Sequence, residues 1–289
     1  MITVAIANQA GSAGKTTSAV TLAALLAQGG HEVLLLDSDG QANATTWLGV
    51  DEPAATLGDV LLRRRGLTLV DAAVETDVPR LRLVPADDRL DADAVELARS
   101  LGGEQRLRQA LEAMAEQQAA ADVTIIDCPG ALSIFTIAAL VAADSVITVA
   151  QPTVKELAGV PKLEGTVEDV RSAYNPKLSL AGVIPCNVPP TGAGVLYAQA
   201  LALLAENYGD IVTPAVRRSV RVPEAYAQQR PLPVHSPREA VTEDYRAVLD
   251  ALARAGVLPA SGDPLDPPAP RRRAIPAESR ARTEEPGLW

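Results

Sequence analysis

The sequence predicts an α/β protein with a doubly wound, mostly parallel β-sheet that carries helices on both faces. Three observations lead to this fold class. Six short apolar segments recur at strand length, longer segments with helical spacing separate them, and the short segments are apolar throughout rather than alternating with polar residues. Such strands are buried on both sides, as they are in a parallel sheet between two layers of helices.

The six predicted strands are, in order, ITVAIA, EVLLLD, LRLVPA, VTIIDCP, SVITVAQ and LSLAGVIPCN. Helical spacing follows the first strand from Lys15 to Gln28 and stops at Gly29-Gly30. Residues 90–119 predict a helix that is interrupted at Gly102-Gly103, and another helical pattern follows Pro129. A long amphipathic stretch over about 154–173 precedes the last strand.

The chain divides into one large predicted domain and a tail. Residues 1–257 contain all the predicted strands and helices. Residues 258–289 are rich in proline, arginine and small side chains and contain little that could be buried, so we expect a disordered C-terminal tail.

Composition limits the classes of function. The longest apolar runs are shorter than 18 residues, so no transmembrane helix is predicted. The chain enters its first strand without a charged leader and has two widely spaced cysteines, Cys128 and Cys186, so we expect a reduced, cytoplasmic location. The net charge is -10, but a local group of arginines keeps a polyanionic partner possible: Arg217, Arg218, Arg221, Arg230 and Arg238.

A phosphate-binding loop is predicted between the first strand and the first helix. The segment QAGSAGKTT ends as the standard loop does, although Gln9 stands where the opening glycine would be. Backbone N–H groups and the helix N-terminus would face an anion, Lys15 would reach the β- and γ-phosphates, and the Thr16 hydroxyl would ligate Mg²⁺. A strand-to-helix turn with a chance G-K-T is the alternative. The predicted nucleotide-binding residues here are Gly11, Ser12, Ala13, Gly14, Lys15, Thr16 and Thr17.

Aspartates close two of the buried strands. The segment DSDGQANATTWLG begins at Asp37 after the second strand, and Asp127 ends the VTIID strand. An aspartate in this position can hold Mg²⁺ through water. A single such residue would more often be a turn or a helix cap, but together with the loop the aspartates predict ATP and Mg²⁺ as ligands.

These motifs resemble the ParA-type ATPases of the deviant Walker A group, which includes the partition ATPases and MinD-like proteins. The family loop x-K-G-G-x-G-K-[ST]-T aligns with QAGSAGKTT without gaps, and the family motif D-x-D-P-Q-G-N-A-T aligns with DSDGQANAT. The segments NPKLSLAGVIPCNVPP and AVRRSVRVPEA also resemble later parts of the family. The resemblance covers residues 1 to about 255.

The resemblance implies roles for further residues. Asp39 would position or activate the attacking water, so it is, with Lys15, a predicted catalytic residue. Asp37 would brace the loop near Lys15 and Mg²⁺, and Asn187 matches a position that reads adenine, although it could equally be a turn residue. A turn with solvated carboxylates is the alternative for the two aspartates.

The chain departs from the family pattern at several positions. The signature lysine, which crosses the dimer interface to the partner's nucleotide, is replaced by Ala10. Ser12 stands at the second glycine of the pair, and Gly40 and Ala42 stand at the proline and glycine of the second motif. The loss at Ala10 is expected to weaken dimerisation and hydrolysis but to leave the phosphate cradle of the monomer intact.

The leading hypothesis is a partition ATPase with weak hydrolysis. The resemblance implies an ATP-dependent homodimer that binds nucleoid DNA non-specifically, through Arg218 and Arg221, and a ParB-like centromere-binding protein that stimulates release. Solvated arginines with local salt bridges are the alternative. The second hypothesis is a nucleotide-gated regulatory module without turnover. A MinD-like membrane role lacks the expected amphipathic C-terminus, and no G-x-G-x-x-G follows the first strand as a dinucleotide oxidoreductase would require.

Overall fold

The computed structural model describes residues 1–9, 14–190 and 194–260, and at residues 154 and 155 the backbone alone. Within this part of the chain the strands are β1 (Ile2–Ala7), β2 (Val33–Asp37), β3 (Val74–Glu75), β4 (Leu81–Val84), β5 (Val123–Asp127), β6 (Ser145–Ala150) and β7 (Leu180–Pro185). They form one sheet in the order β3-β4-β2-β5-β1-β6-β7.

The sheet confirms the predicted fold class. All pairs of neighbouring strands from β4 to β7 in that order are parallel. Only the edge pair of β3 with β4 is antiparallel. The six predicted strands are β1, β2, β4, β5, β6 and β7. The two-residue β3 was missed because Val74–Glu75 is only partly buried and too short to give an apolar run.

Helices connect the strands and cover both faces of the sheet. The first of them, α1, spans Lys15–Gln28 as predicted and ends at Gly29 and Gly30. The others are α2 (Asn43–Trp47), α3 (Leu57–Leu61), α4 (Leu69–Ala72), α5 (Leu90–Arg99), α6 (Arg106–Glu116), α7 (Ile134–Ala142), α8 (Val154–Leu157), α9 (Gly159–Ala173), α10 (Val195–Tyr208), α11 (Arg221–Ala227), α12 (Leu232–His235) and α13 (Ala240–Arg254), with 3₁₀ turns at Arg64–Gly66, Gly103–Gln105 and Gly209–Ile211.

Two apolar layers hold the helices against the sheet. On one face α1 and α13 pack against alternate side chains of the central strands, including Ile6 and Leu35. On the other face α5, α6, α7 and α9 pack against the intervening side chains, including Ala7 and Leu36. Neighbouring residues of one strand thus enter opposite cores, as the alternation of side chains along a β-strand requires.

Two predicted helical stretches are divided in the structure. Residues 90–119 form α5 and α6, separated at Gly102 and Gly103 as expected. The stretch 154–173 forms α8 and α9, with a break at Ala158. Pro161 explains this break, since it has no N–H to donate to the carbonyl of Leu157 four residues earlier.

The described residues that follow α13 pack against the core. After α13, Val257 and Leu258 are still buried against the core. The predicted disordered tail lies, from residue 261 onward, outside the described residues, so the tail and its boundary stay predictions. No helix among the described residues combines the length and the apolar character needed to cross a bilayer.

Candidate nucleotide-binding site

Strand order brings the chemistry-bearing segments to one edge of the sheet. β5 lies between β1 and β2, so the segments that follow these three strands emerge side by side at their carboxyl ends. Asp127 is the register partner of Ile6 on one side and of Asp37 on the other. The two aspartates, ninety residues apart in sequence, are therefore neighbours across a parallel ladder.

The N-terminus of α1 faces the same edge. Gly14 precedes the helix in the left-handed region with φ 88°, which favours glycine, and a Cβ there would also lie in a tight contact, 3.2 Å from the Cys186 Sγ. Lys15 and Thr16 are the first residues of the helix, and Lys15 is only 7% exposed. The predicted residues Ala10, Gly11, Ser12 and Ala13 lie outside the described residues.

A cleft of about 580 Å³ opens above this edge of the sheet. It brings together predicted site residues from two segments, Gly14, Lys15, Thr16 and Thr17 from α1 and its cap, and Asp39 from the loop after β2. The N–H groups of the first turn and the positive end of the dipole of α1 are a suitable environment for phosphate.

Asp37 is fully buried and its carboxylate holds the start of α2. The backbone N–H and the hydroxyl of Thr45 donate to Asp37 Oδ2 at 2.9 and 2.8 Å, and the Asp39 N–H donates to Oδ1 at 3.2 Å. Burial raises the pKa of Asp37 to about 6, against these hydrogen bonds, which lower it. The hydrogen bonds of Asp37 brace α2 and the loop after β2, and its predicted role near Lys15 and Mg²⁺ stays a prediction.

Asp127 is the feature best suited to a metal ion. It is 1% exposed, and neither carboxylate oxygen has a hydrogen-bond partner of good geometry among the described residues. Burial is the main cause that raises the pKa of Asp127, and the negative charge of Asp37 raises it further. The nearby Thr16 hydroxyl and the positive charge of Lys15 lower it. A buried, unsatisfied carboxylate beside a hydroxyl is a fitting oxygen donor set for Mg²⁺.

Asp39 is half-buried at the wall of the cleft. Its Oδ1 accepts a hydrogen bond from the Gln41 N–H at 3.1 Å, which holds the carboxylate in the loop. Asp39 lines the same cleft as the N-terminus of α1, which is compatible with the predicted role next to the terminal phosphate.

A second cavity of about 230 Å³ continues from the cleft and shares Gly14 and Thr17 with it. Asn187, in the loop after β7, lines this cavity and has left-handed backbone with φ 53°, a region that asparagine tolerates. Val216, Val222 and Pro223 supply apolar wall. The two cavities together offer adjoining space for phosphates and for a base.

Comparison with known proteins agrees with this geometry. A family model described as an AAA domain matches residues 1–180. The chain is 38% identical over 244 residues to the chromosome partitioning protein ParA of Caulobacter vibrioides, covering 83% of this chain and 90% of that protein. The chain belongs to the ParA family of partition ATPases.

Further relatives of this ParA-family chain extend the comparison. The sporulation initiation inhibitor protein Soj of Bacillus subtilis is 34% identical over 257 residues, 88% of this chain and 98% of Soj. Apo McdA from Cyanothece superposes with a TM-score of 0.78 at 29% identity, covering 87% of this chain and 99% of McdA. Cobyrinic acid a,c-diamide synthase from Mycobacterium smegmatis, with bound ATP analogue and magnesium, gives 0.72 at 28% identity, covering 88% and 96%.

The two arginines predicted to contact DNA have different surroundings in this ParA-family chain. Arg221, at the start of α11, pairs with Glu224 at 2.8 Å and with Glu239 at 3.4 Å. Arg218 lines the second cavity, where its Nε donates to Asn187 Oδ1 at 3.1 Å. A DNA-binding role for either residue stays a prediction.

Sequence reasoning missed the wall of the cleft that α5 supplies. Leu90, Asp91 and Ala94 line the same cleft as the start of α1. A Cβ at Gly40 would lie 2.8 Å from Asp91 Oδ1, so a larger residue there would displace the Asp91 side chain. The glycine at a position where the family has proline was the one signal in the sequence that could have pointed to this close approach.

Proposed function

We propose that this ParA-family chain binds ATP with Mg²⁺ in the cleft and hydrolyses the γ-phosphate slowly. The observation that carries the proposal is the meeting of Lys15 and Thr16 with Asp39 and Asp127 at one edge of the sheet. These four side chains provide a cation for phosphate, two oxygen ligands for a metal and a carboxylate next to the reacting phosphate.

The binding roles follow from the chemistry of the donors. Lys15 would neutralise the β- and γ-phosphates, aided by the N–H groups at the start of α1. The Thr16 hydroxyl and the unsatisfied Asp127 carboxylate would hold Mg²⁺, directly or through water. Bound magnesium would neutralise charge on the phosphates. Gly11, Ser12 and Ala13 are proposed to complete the phosphate cradle.

Asp39 is proposed to orient the attacking water and accept its proton. As the water oxygen bonds to the γ-phosphorus, the bond to the β–γ bridging oxygen breaks and ADP leaves. Asn187, at the second cavity, would contact the adenine. Asp37 would act indirectly, by fixing α2 and the loop that carries Asp39.

Dimerisation and its consequences belong to the same proposal. ATP would join two copies, the dimer would bind nucleoid DNA non-specifically through basic residues such as Arg221, and a ParB-like protein would stimulate release. Relatives named as chromosome partitioning proteins support a role in partition, and we place that role in the cytoplasm. The alternative is a nucleotide-gated switch without turnover, which Ala10 favours because it removes the signature lysine.

Calorimetry and steady-state phosphate release test the proposal on three proteins. We expect the wild type to bind MgATP, Lys15→Ala to lose binding, and Asp39→Ala to bind ATP but to hydrolyse it about 10²-fold more slowly. Wild-type affinity in Lys15→Ala would contradict the phosphate site. Measurements with and without DNA and the partner separate slow turnover from none, and none in either condition supports the regulatory alternative.

A further inference from the structure

The exposed side chain of Arg218 lines the second cavity and is hydrogen-bonded to a neutral amide rather than to a carboxylate. Its neighbour Arg217 is bound to Asp244, with Nε at 2.6 Å from Oδ2, and Arg221 is paired with Glu224 and Glu239. The hydrogen bond recorded for the Arg218 guanidinium among the described residues goes instead to a neutral amide, that of Asn187, at 3.1 Å.

We propose that Arg218 is a positioning residue of the base site, which fixes the orientation of the Asn187 amide and so makes the site select adenine over guanine. This inference rests on the proposed function, since it requires the purine of the nucleotide to occupy the cavity that Asn187 and Arg218 line.

The guanidinium determines which end of the amide faces it. Arginine has hydrogen-bond donors and no acceptor, so the Asn187 group turned toward Arg218 Nε must be the carbonyl oxygen, and the NH₂ group is turned away. A flip of the amide by 180° would place two donors against each other. Arg218 therefore favours one of the two orientations that an asparagine side chain otherwise adopts at similar cost.

The backbone keeps the two side chains in register. The Arg218 N–H donates to the Val188 carbonyl at 2.7 Å, and the Val188 N–H donates to the Val216 carbonyl at 3.0 Å. This short parallel bridge joins the loop after β7 to the segment before α11. Arg217, anchored on Asp244 through its backbone N–H and its side chain, holds the same segment from the other side.

Amide orientation matters because adenine and guanine present reversed patterns of hydrogen-bond donors and acceptors. Where adenine has the N6 donor beside the N1 acceptor, guanine has the O6 acceptor beside the N1–H donor. An asparagine that flips freely can pair with either purine. The Asn187 oxygen has two lone pairs, of which Arg218 uses one, so the held amide still offers one acceptor and one donor in a single fixed order.

The test compares the affinities of MgATP and MgGTP by calorimetry. The proteins are the wild type, Arg218→Met, Arg218→Lys, Asn187→Ala and the double variant Arg218→Met with Asn187→Ala. Arg238→Met is the control, since Arg238 is exposed and remote from the cavity lining. Circular dichroism and thermal melting establish that each variant is folded.

We expect Arg218→Met to lower the ratio of ATP affinity to GTP affinity about tenfold. This is near the lower end of the discrimination that one oriented bidentate contact to a base provides. Arg218→Lys should restore much of the ratio, because lysine is also a donor without an acceptor. The double variant should match Asn187→Ala, because a residue that acts through Asn187 adds nothing once Asn187 is gone. The control should keep the wild-type ratio.

Three results overturn the inference. A wild-type ratio in Arg218→Met does so, and loss of DNA affinity in that variant would then assign Arg218 to the DNA-binding surface. Additive losses in the double variant would show that Arg218 contacts the base directly. A wild type that binds neither nucleotide contradicts the proposed function itself, and the inference falls with it.

Discussion

Trp47 and Tyr226 are in edge-to-face contact, with ring centroids 5.3 Å apart and ring planes at 81°. Trp47 closes α2, the helix that Thr45 ties to Asp37, and Tyr226 lies on α11, which begins at Arg221. The Trp47 indole N–H also donates to the Arg230 carbonyl at 2.9 Å. The pair therefore joins the helix next to the proposed nucleotide cleft to the helix that carries a predicted DNA contact.

We predict that Tyr226→Leu reduces the stimulation of DNA binding by ATP. The ATP affinity itself should stay within about twofold of the wild-type value, because the ring contributes at most one weak contact near the cleft. Losing the ring removes the contact between α2 and α11. Tyr226→Phe is the matched control, as it keeps the ring and loses only the hydroxyl contact to Asn43 at 3.3 Å. Fluorescence anisotropy of labelled DNA with and without ATP gives the ratio. Equal stimulation in Tyr226→Leu and the wild type would show that this contact carries no coupling.

The buried carboxyl of Asp37 predicts a pH dependence of stability. Its pKa is about 6 in the folded chain, above the ordinary value of 3.8, so between these two values the folded state binds the proton more strongly than the unfolded state does. The free energy of unfolding of the nucleotide-free protein should thus fall as the pH rises from about 4 to about 7. Asp37→Asn should flatten this dependence in urea unfolding with EDTA. An unchanged slope would contradict the shift.

Ala42 has left-handed backbone, with φ 49°, at a position where the family pattern has glycine. The left-handed conformation destabilises a residue that has a Cβ by roughly 1–2 kcal/mol. A glycine avoids this strain, but its greater backbone freedom in the unfolded chain costs roughly 0.5–1 kcal/mol of stability. Ala42→Gly should therefore stabilise the protein by about 0.5 kcal/mol in urea unfolding. Ala113→Gly, inside α6, is the control and should destabilise. Destabilisation by both would show that the left-handed conformation is not strained.

Ala10 should limit ATP-dependent dimerisation. The missing lysine leaves the charges of two facing nucleotides with less compensation across a partly desolvated interface. We predict that ATP binds each monomer, that the dimer is weak, and that Ala10→Lys strengthens it about tenfold or more, as one compensated charge pair allows. Sedimentation with ATP and Mg²⁺ measures it. A wild type that is already dimeric, with no change in the variant, would show that another group replaces the lysine.

Replacing Arg221 should weaken the binding of random-sequence DNA. We predict that Arg221→Gln lowers the slope of log affinity against log salt by about 0.9, the effect of one lost phosphate contact, while ATP affinity is unchanged. In the absence of DNA, Arg221 pairs with Glu224 and Glu239, so the contact requires these pairs to open. Anisotropy at several salt concentrations gives the slope. A wild-type slope in Arg221→Gln would show that the DNA-binding surface lies elsewhere, and the arginines of the tail would be tested next.

Local pattern was sufficient to predict six of the seven strands among the described residues and the first helix. The bounds of α1 followed from helical spacing and the closing glycines, and six strands followed from apolar runs of strand length. Both depend on neighbours a few residues apart, so they can be read along the chain. The motif Gly14-Lys15-Thr16 between a strand and a helix likewise predicted a phosphate site from that segment alone.

Tertiary structure decided which distant residues meet. The placement of β5 between β1 and β2 makes Asp127 the neighbour of Asp37, and the bridge after β7 brings the exposed Arg218 to Asn187, whereas Arg221 pairs with carboxylates. The edge strand β3 and the approach of Asp91 to Gly40 also depend on packing between remote segments. Such contacts are set by the way whole elements bury their apolar faces against one another, which no spacing within a single segment records.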